Sequence, residues 1–123
     1  MGIGTIVNLV AGKVKNCFPE SFAYFNFELS DNSGFQLTQA INDILRVVES
    51  ELREGKRILI HCYKGISRAP AIGIAYLIRH KSMAFEAAFD HVKKTVGKAD
   101  PNTGFLIQLS TLESSSEPRL VSA

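Results

Sequence analysis

Cysteine is scarce in this sequence of 123 residues, which contains only Cys17 and Cys62. Two cysteines are too few for a disulfide-stabilised scaffold, and neither belongs to a Cys-x-x-Cys or Cys/His spacing typical of a zinc site. The sequence therefore excludes a small disulfide-rich domain and a zinc finger. It favours a reducing compartment, so we expect the chain in the cytoplasm, the nucleus or both.

Long apolar runs and a large excess of one charge are lacking as well. No run approaches the roughly 20 apolar residues that span a bilayer, and the N-terminus has no basic segment typical of a secretory signal. The 14 Lys and Arg residues nearly balance the 12 Asp and Glu residues, which leaves a formal net charge of +2. Neither a membrane nor a nucleic acid is therefore expected as a partner.

What the chain does contain is enough apolar residues, 46% of the total, to build one core. We predict a single domain over 1–123 with a flexible tail at 114–123. Periodicity and turn signals predict strands at 5–10, 23–29 and 57–61, and helices at 37–54, 68–81, 83–96 (capped by Ser82) and 102–112. Because strands and helices alternate, the predicted fold class is α/β with a central, mostly parallel sheet flanked by helices.

The segment HCYKGISR at 61–68 lies between a predicted buried strand and a predicted helix. A loop at a helix N-terminus directs backbone N–H groups inward and binds anions, and Gly65 permits the tight turn that such a loop needs. Arg68 follows Cys62 by six residues, so its planar guanidinium can hold phosphate oxygens above the thiol. The same dipoles favour an ionised, nucleophilic Cys62. The competing interpretation is a buried structural cysteine at a strand end, with Arg68 merely solvated.

Transfer of a phosphoryl group to Cys62 requires a general acid for the leaving oxygen. Asp31, in a loop after the second predicted strand, is the first candidate, although a turn or helix-capping role explains its position equally well. Asp100, also in a loop, is the rival candidate. His61 is either a supporting residue that orients Cys62 or the loop, or an ordinary core histidine. Ser67 either donates a hydrogen bond inside the loop or only favours the tight turn.

Several segments of the chain match a known family. The stretch HCYKGISRAP at 61–70 closely resembles the signature loop of dual-specificity protein phosphatases. Residues 6–9 (IVNL), 24–31, 58–62 (ILIHC), 71–80 (AIGIAYLIRH), 82–87 and 101–106 (PNTGFL) are similar to the family in the same order. The resemblance covers nearly the whole chain, from about Thr5 to Leu112, and the loop motif is its most specific part.

The resemblance implies the cysteine-phosphatase fold, here without the strand and helix that usually precede the segment matching Thr5. It implies that Cys62 forms a phosphocysteine intermediate and that Asp31 acts as general acid and later as base. Neither a metal nor an organic cofactor is implied. The implied partner is a phosphoprotein, a protein kinase among the candidates, phosphorylated on tyrosine, serine or threonine. The implied phosphate-binding residues are Tyr63, Lys64, Gly65, Ile66, Ser67 and Arg68.

Ala69 departs from the family pattern, which usually has Ser or Thr directly after the arginine. That hydroxyl helps the cysteine sulfur to leave in the second step, so we predict slow turnover and a longer-lived phosphocysteine. Arg-Ala-Pro also occurs in the phosphatases of regenerating liver, which turn over weakly and which the rest of this chain resembles less. The alternative function is a weakly active or inactive phosphoprotein-binding module. Lipid or RNA phosphates rank lower as substrates, because the loop has no basic cluster beyond Lys64 and Arg68. The sequence does not indicate the oligomeric state.

Overall fold

The computed structural model describes residues 3–112, and within them it contains three strands and four helices. The predicted flexible tail at 114–123 lies outside the described residues. The elements in chain order are β1 (Thr5–Asn8), β2 (Ala23–Asn26), α1 (Leu37–Arg53), β3 (Ile58–His61), α2 (Arg68–Lys81), α3 (Phe85–Thr95) and α4 (Thr103–Ser110). None of these helices is both long and apolar enough to cross a membrane.

The three strands form one parallel sheet in the order β2-β1-β3. The predicted α/β class with a parallel sheet is therefore confirmed. At the carboxyl edge of the sheet, Asn8 of the central strand is aligned with Asn26 of β2 and His61 of β3. The loops that follow all three strands consequently leave from one edge, where ligands of open parallel sheets usually bind.

Strands β1 and β2 are shorter than the sequence pattern predicts, because both leave the parallel sheet early. The Asn8 side chain accepts a hydrogen bond from the N–H of Val10 (2.9 Å), which turns the chain at this point. Val10 then pairs with Glu28 in an isolated antiparallel bridge. The apolar residues after Asn8 and Asn26 therefore continue toward the site without extending the sheet.

Helix α1 follows the predicted periodicity, and its apolar face packs into the core. The first N–H of the helix, that of Leu37, is bonded by the side-chain carbonyl of Gln108 (2.7 Å), which reaches across from α4. The amide nitrogen of Gln108 in turn donates to the carbonyl of Phe35 (2.8 Å). One side chain of α4 thus satisfies backbone groups at the start of α1 and fixes the two helices relative to each other.

The prediction that Ser82 caps the third helix is wrong. Ser82 ends α2 instead, in the left-handed conformation (φ 55°), and its N–H bonds to the carbonyl of Leu77. This satisfies a carbonyl that the end of α2 would otherwise leave unpaired. Helix α3 begins only at Phe85, after Ala84. The bounds predicted for α2 itself, 68–81, are those observed.

Helix α2 lies at the centre of the domain, where it packs against β3 and the other three helices. Its buried residues are Pro70, Ala71, Ile72, Ile74, Ala75 and Ile78. Removing such side chains from water contributes roughly 1.5–3 kcal/mol for each large aliphatic residue. The helix start, which carries Arg68, is therefore held in place by the packing of α2 against β3 and the other three helices.

Candidate active site

The loop from Cys62 to Ser67 joins the end of β3 to the start of α2. Gly65 adopts φ of +71°, a left-handed conformation that other residues rarely adopt. Ser67 occupies the N-cap position of α2, and Arg68 is the first helical residue. The loop therefore wraps over a helix N-terminus, where the helix dipole favours negative charge.

Cys62 lies at the bottom of this arrangement and is 9% exposed. Its sulfur accepts a hydrogen bond from the backbone N–H of Ala69, at 3.3 Å. Ala69 belongs to the first turn of α2, whose N–H groups have no partners within the helix. The sulfur is thus directed at the positive end of the helix dipole.

Arg68 lines the same pocket as the cysteine, and the backbone of the segment after β2 holds its side chain. The Nη1 group donates a hydrogen bond to the carbonyl of Leu29, at 3.0 Å. The Nε group is buried and has no hydrogen-bond partner among the described residues. A buried guanidinium N–H without an acceptor costs about 1–3 kcal/mol or more, so this group is suited to an anionic acceptor.

A pocket of about 120 Å³ brings most of the predicted site residues together. It is lined by Asp31, Cys62, Tyr63, Lys64, Ile66, Ser67 and Arg68. The remaining loop residue, Gly65, lines a different, apolar groove of about 430 Å³ between α2 and α3. The groove is larger, but among its lining residues only Tyr76, His91 and Lys98 have ionisable side chains, and it contains neither a cysteine nor a carboxylate. The smaller pocket, which holds the cysteine, arginine and aspartate, is the better candidate for chemistry.

The two candidate acids occupy different places. Asp31 lines the pocket that contains Cys62, although the two residues are 31 positions apart in the chain. The backbone N–H of Asp100 donates a hydrogen bond to the carbonyl of Ile66, at 2.6 Å, and Asp100 does not line the pocket of Cys62. The geometry therefore favours Asp31 over Asp100 as the group that could exchange a proton with a bound molecule.

Asn102 is a residue of the site to which sequence reasoning assigned no role. Its side-chain amide donates to Oδ1 of Asp31 (2.8 Å), and its backbone N–H donates to the hydroxyl of Ser67 (3.0 Å). Ser67 is 5% exposed, and the observed contact makes its hydroxyl an acceptor. The available signal was the position of an Asn at the very start of the helix predicted over 102–112. That signal predicts a cap, but not a partner 71 residues away.

His61 lies at the end of β3 and is half-buried. Within the described part of the chain, no hydrogen bond involves its imidazole, so the supporting role stays a prediction. In the same residues, no three His, Cys, Asp or Glu side chains lie close enough together to hold a metal ion.

Comparison with models of known protein families identifies the family of this chain. The model described as the dual specificity phosphatase catalytic domain matches residues 1–115. The chain belongs to this family. Protein phosphatase Slingshot of Drosophila melanogaster is 36% identical to the dual specificity phosphatase domain described here, over 110 residues. Mouse dual specificity protein phosphatase 2 is 34% identical over 112 residues.

The solved structures agree with the sequence comparison. A mouse putative dual specificity phosphatase, crystallised in complex with zinc tungstate, has a TM-score of 0.83 and 30% sequence identity, and the match covers 91% of this chain and 70% of that chain. The fold of this dual specificity phosphatase domain is therefore that of the cysteine phosphatases. The matches cover 89% of this chain but 10% of Slingshot, and 91% of this chain but 35% of mouse dual specificity protein phosphatase 2.

Proposed function

We propose that this domain hydrolyses phosphate monoesters on tyrosine, serine and threonine residues of proteins, through a phosphocysteine intermediate. The observation that carries the proposal is the pocket in which Cys62, Arg68 and Asp31 converge at the start of α2. The nucleophile and the anion clamp come from the segment 62–68 and the proton donor comes from the segment after β2, and each has the side-chain chemistry that its step requires.

In the first step the Cys62 thiolate attacks phosphorus, the S–P bond forms, and the bond from phosphorus to the substrate oxygen breaks. Asp31 donates its proton to that oxygen, which leaves as an alcohol or a phenol. Arg68 donates hydrogen bonds to the equatorial oxygens, where charge is concentrated in the transition state. The buried, unpartnered Nε of Arg68 supports this role, because a phosphate oxygen supplies the missing acceptor.

In the second step water attacks the phosphocysteine while Asp31, now a carboxylate, accepts a proton from the water. The S–P bond breaks, the Cys62 thiolate is regenerated, and inorganic phosphate leaves. A hydrogen bond to the sulfur stabilises the departing thiolate, and the backbone N–H of Ala69 is placed to donate one. Because Ala69 has no hydroxyl to donate a second, we infer that this step limits turnover and that the phosphocysteine accumulates.

The size of the pocket supports a broad choice of phosphorylated residue. Its volume of about 120 Å³ is well below the roughly 300 Å³ at which pockets begin to enclose drug-sized molecules. Such a pocket encloses the phosphate and leaves most of the attached side chain outside. Phosphotyrosine and the shorter phosphoserine and phosphothreonine can then reach the sulfur alike.

The proposed partner is a phosphoprotein, with protein kinases among the candidates, and the proposed compartment is the cytoplasm or the nucleus. Both cysteines are free, and the chemistry requires a reduced thiol at position 62. The mouse neighbour solved with zinc tungstate supports oxyanion binding by this fold, since tungstate, like phosphate, is a tetrahedral oxyanion.

The proposal is tested with p-nitrophenyl phosphate and two cysteine variants. We expect Cys62→Ser to lose activity by at least about 1,000-fold, because removing a nucleophile typically costs several orders of magnitude. Cys17→Ser is the matched control, since Cys17 is exposed and its sulfur donates a weak hydrogen bond to the carbonyl of Lys15 (3.7 Å) outside the pocket. Equal activity of Cys62→Ser and the parent would overturn the proposal, as would a parent that binds phosphopeptides without releasing phosphate.

The natural substrate class is tested by trapping. Asp31→Ala removes the proton donor and keeps the phosphate-binding groups, so we expect it to retain phosphoproteins that the parent releases. Phosphotyrosine, phosphoserine and phosphothreonine peptides are then compared by phosphate release. Activity confined to one class would contradict the proposed dual specificity.

A further inference from the structure

The segment 30–34, called here the acid loop because it carries Asp31, rests on the start of α4. The Asn102 side-chain amide donates to Oδ1 of Asp31 at 2.8 Å. The hydroxyl of Ser33 contacts Oδ1 of Asn102 at 3.5 Å and the N–H of Gly104 at 3.4 Å. Asp31 and Ser33 are both exposed, so these contacts, rather than burial, hold them in place.

Gly104 is required for this close approach. A Cβ atom at position 104 would lie 2.0 Å from the carbonyl oxygen of Ser33, a distance that backbone atoms cannot tolerate. Any other residue there would push the acid loop away from α4. The conformation of Gly104 is not the constraint, since it has no positive φ; the constraint is space.

Asn102 itself is held from two sides, so its orientation is fixed. Its Oδ1 accepts the N–H of Phe105 (2.9 Å) as the N-cap of α4, which turns the amide nitrogen toward Asp31. Its backbone N–H bonds to Ser67 of the phosphate loop. Helix α4 is anchored below by the fully buried Phe105 and by the contacts of Gln108 with the start of α1.

We propose that Asn102 and Gly104 are positioning residues that set Asp31 for proton transfer, an inference that rests on the proposed phosphatase function. The amide of Asn102 donates a hydrogen bond to Oδ1 of Asp31, so Oδ1 serves as an acceptor. The transferable proton of the carboxyl group is then carried by the other oxygen, Oδ2. Gly104 lets the loop come close enough for that bond. Asn102 also ties the phosphate loop to the acid loop, so the proton donor has a fixed relation to the phosphorus-binding groups.

The rate acceleration from a general acid increases with the basicity of the leaving oxygen. Two substrates whose leaving groups differ in basicity therefore distinguish a loss of proton transfer from a general loss of activity. Phenyl phosphate has a basic leaving group that needs the proton, whereas 2,4-dinitrophenyl phosphate has one that leaves readily without it. The parameter to compare is kcat/KM, which reports transition-state stabilisation up to phosphoryl transfer and is unaffected by slow hydrolysis of the intermediate.

The first variant is Asn102→Ser, which keeps a good N-cap but is too short to reach Asp31. We expect kcat/KM for phenyl phosphate to fall roughly 10- to 100-fold, a part of the about 100- to 10,000-fold that a general acid supplies. For 2,4-dinitrophenyl phosphate we expect a change of less than about threefold on the same reasoning. Gly104→Ala should show the same selective loss. Thr103→Ala, an exposed neighbour on α4, is the matched control and should change neither substrate.

A double variant separates positioning from a general structural effect. In an Asp31→Asn background, Asn102→Ser should cause no further loss with phenyl phosphate, because the group that it positions is already absent. Vanadate inhibition should be the same for Asn102→Ser and the parent, since Cys62 and Arg68 are untouched.

Equal slowing of both substrates by Asn102→Ser and Gly104→Ala, or an undiminished loss in the Asp31→Asn background, would overturn the inference. Either result leaves the proposed function standing as long as the parent turns over and Cys62→Ser does not. Loss of that contrast would overturn the proposed function itself.

Discussion

Replacing Ala69 with serine should accelerate turnover by restoring a hydroxyl next to the cysteine sulfur. The backbone N–H of Ala69 already lies 3.3 Å from Sγ of Cys62, so a side chain on the same residue starts close to the sulfur. Ala69 is half-buried and borders the apolar groove between α2 and α3, which leaves space for one added oxygen. The substitution therefore adds a donor without disturbing the core.

The size of the effect follows from the hydrogen bond that is added. A hydrogen bond to a charged group contributes about 1.5–3 kcal/mol, and sulfur is a weak acceptor that already has one donor here. We take the low end of the range, which corresponds to about tenfold in the rate of phosphocysteine hydrolysis.

Rapid-mixing kinetics with p-nitrophenyl phosphate isolates this step. The parent should release a burst of p-nitrophenol close to one equivalent, followed by slow steady turnover, because the intermediate accumulates. In Ala69→Ser the steady rate should rise about tenfold and the burst should shrink, while kcat/KM stays within about twofold. Ala69→Thr and Ala69→Val are a matched pair of similar shape, and only the threonine can donate. The reasoning is refuted if the parent shows no burst, or if valine accelerates turnover as much as threonine.

Three further substitutions test packing, a buried polar pair and the anion clamp. Phe105→Ala should lower the free energy of unfolding by about 3–5 kcal/mol in urea titrations, because Phe105 is fully buried; a loss below about 1 kcal/mol would contradict this packing role. Thr5→Val should lower the free energy of unfolding by about 1–3 kcal/mol, since the buried Glu51 loses the hydroxyl that donates to it at 2.7 Å. Thr38→Val, on the exposed face of α1, is the control and should change the free energy of unfolding by less than about 0.5 kcal/mol. Arg68→Lys should weaken vanadate inhibition roughly 10- to 100-fold because a lysine cannot replace the planar fork; unchanged inhibition would exclude Arg68 from the anion site.

Local patterns in the sequence predict the elements that carry the phosphate loop. The bounds of α2, Arg68–Lys81, follow from a short loop with a glycine and a continuous apolar run, and both signals lie within 20 residues of chain. The parallel sheet follows from the alternation of strands and helices. These features are determined by residues that are close together in the sequence. Periodicity and turn residues report such local preferences directly.

Features that depend on distant contacts could not be predicted in the same way. Ser82 has the residue type of an N-cap, but the packing of α2 against α3 places it in a left-handed C-terminal turn. The strand end at Asn8 depends on where Val10 meets Glu28. The partner of Asp31 depends on the docking of α4. In each case tertiary contacts override a local preference that the sequence makes visible.

The separation of 71 residues between Asp31 and Asn102 has a consequence for synthesis on the ribosome. Translation delivers the phosphate loop well before the residues that anchor the acid loop. A partly made chain thus carries its thiol and its arginine before its proton donor has an anchor. The proton donor therefore acquires its fixed relation to the phosphate loop only after α4 has been synthesised and has packed against the rest of the fold.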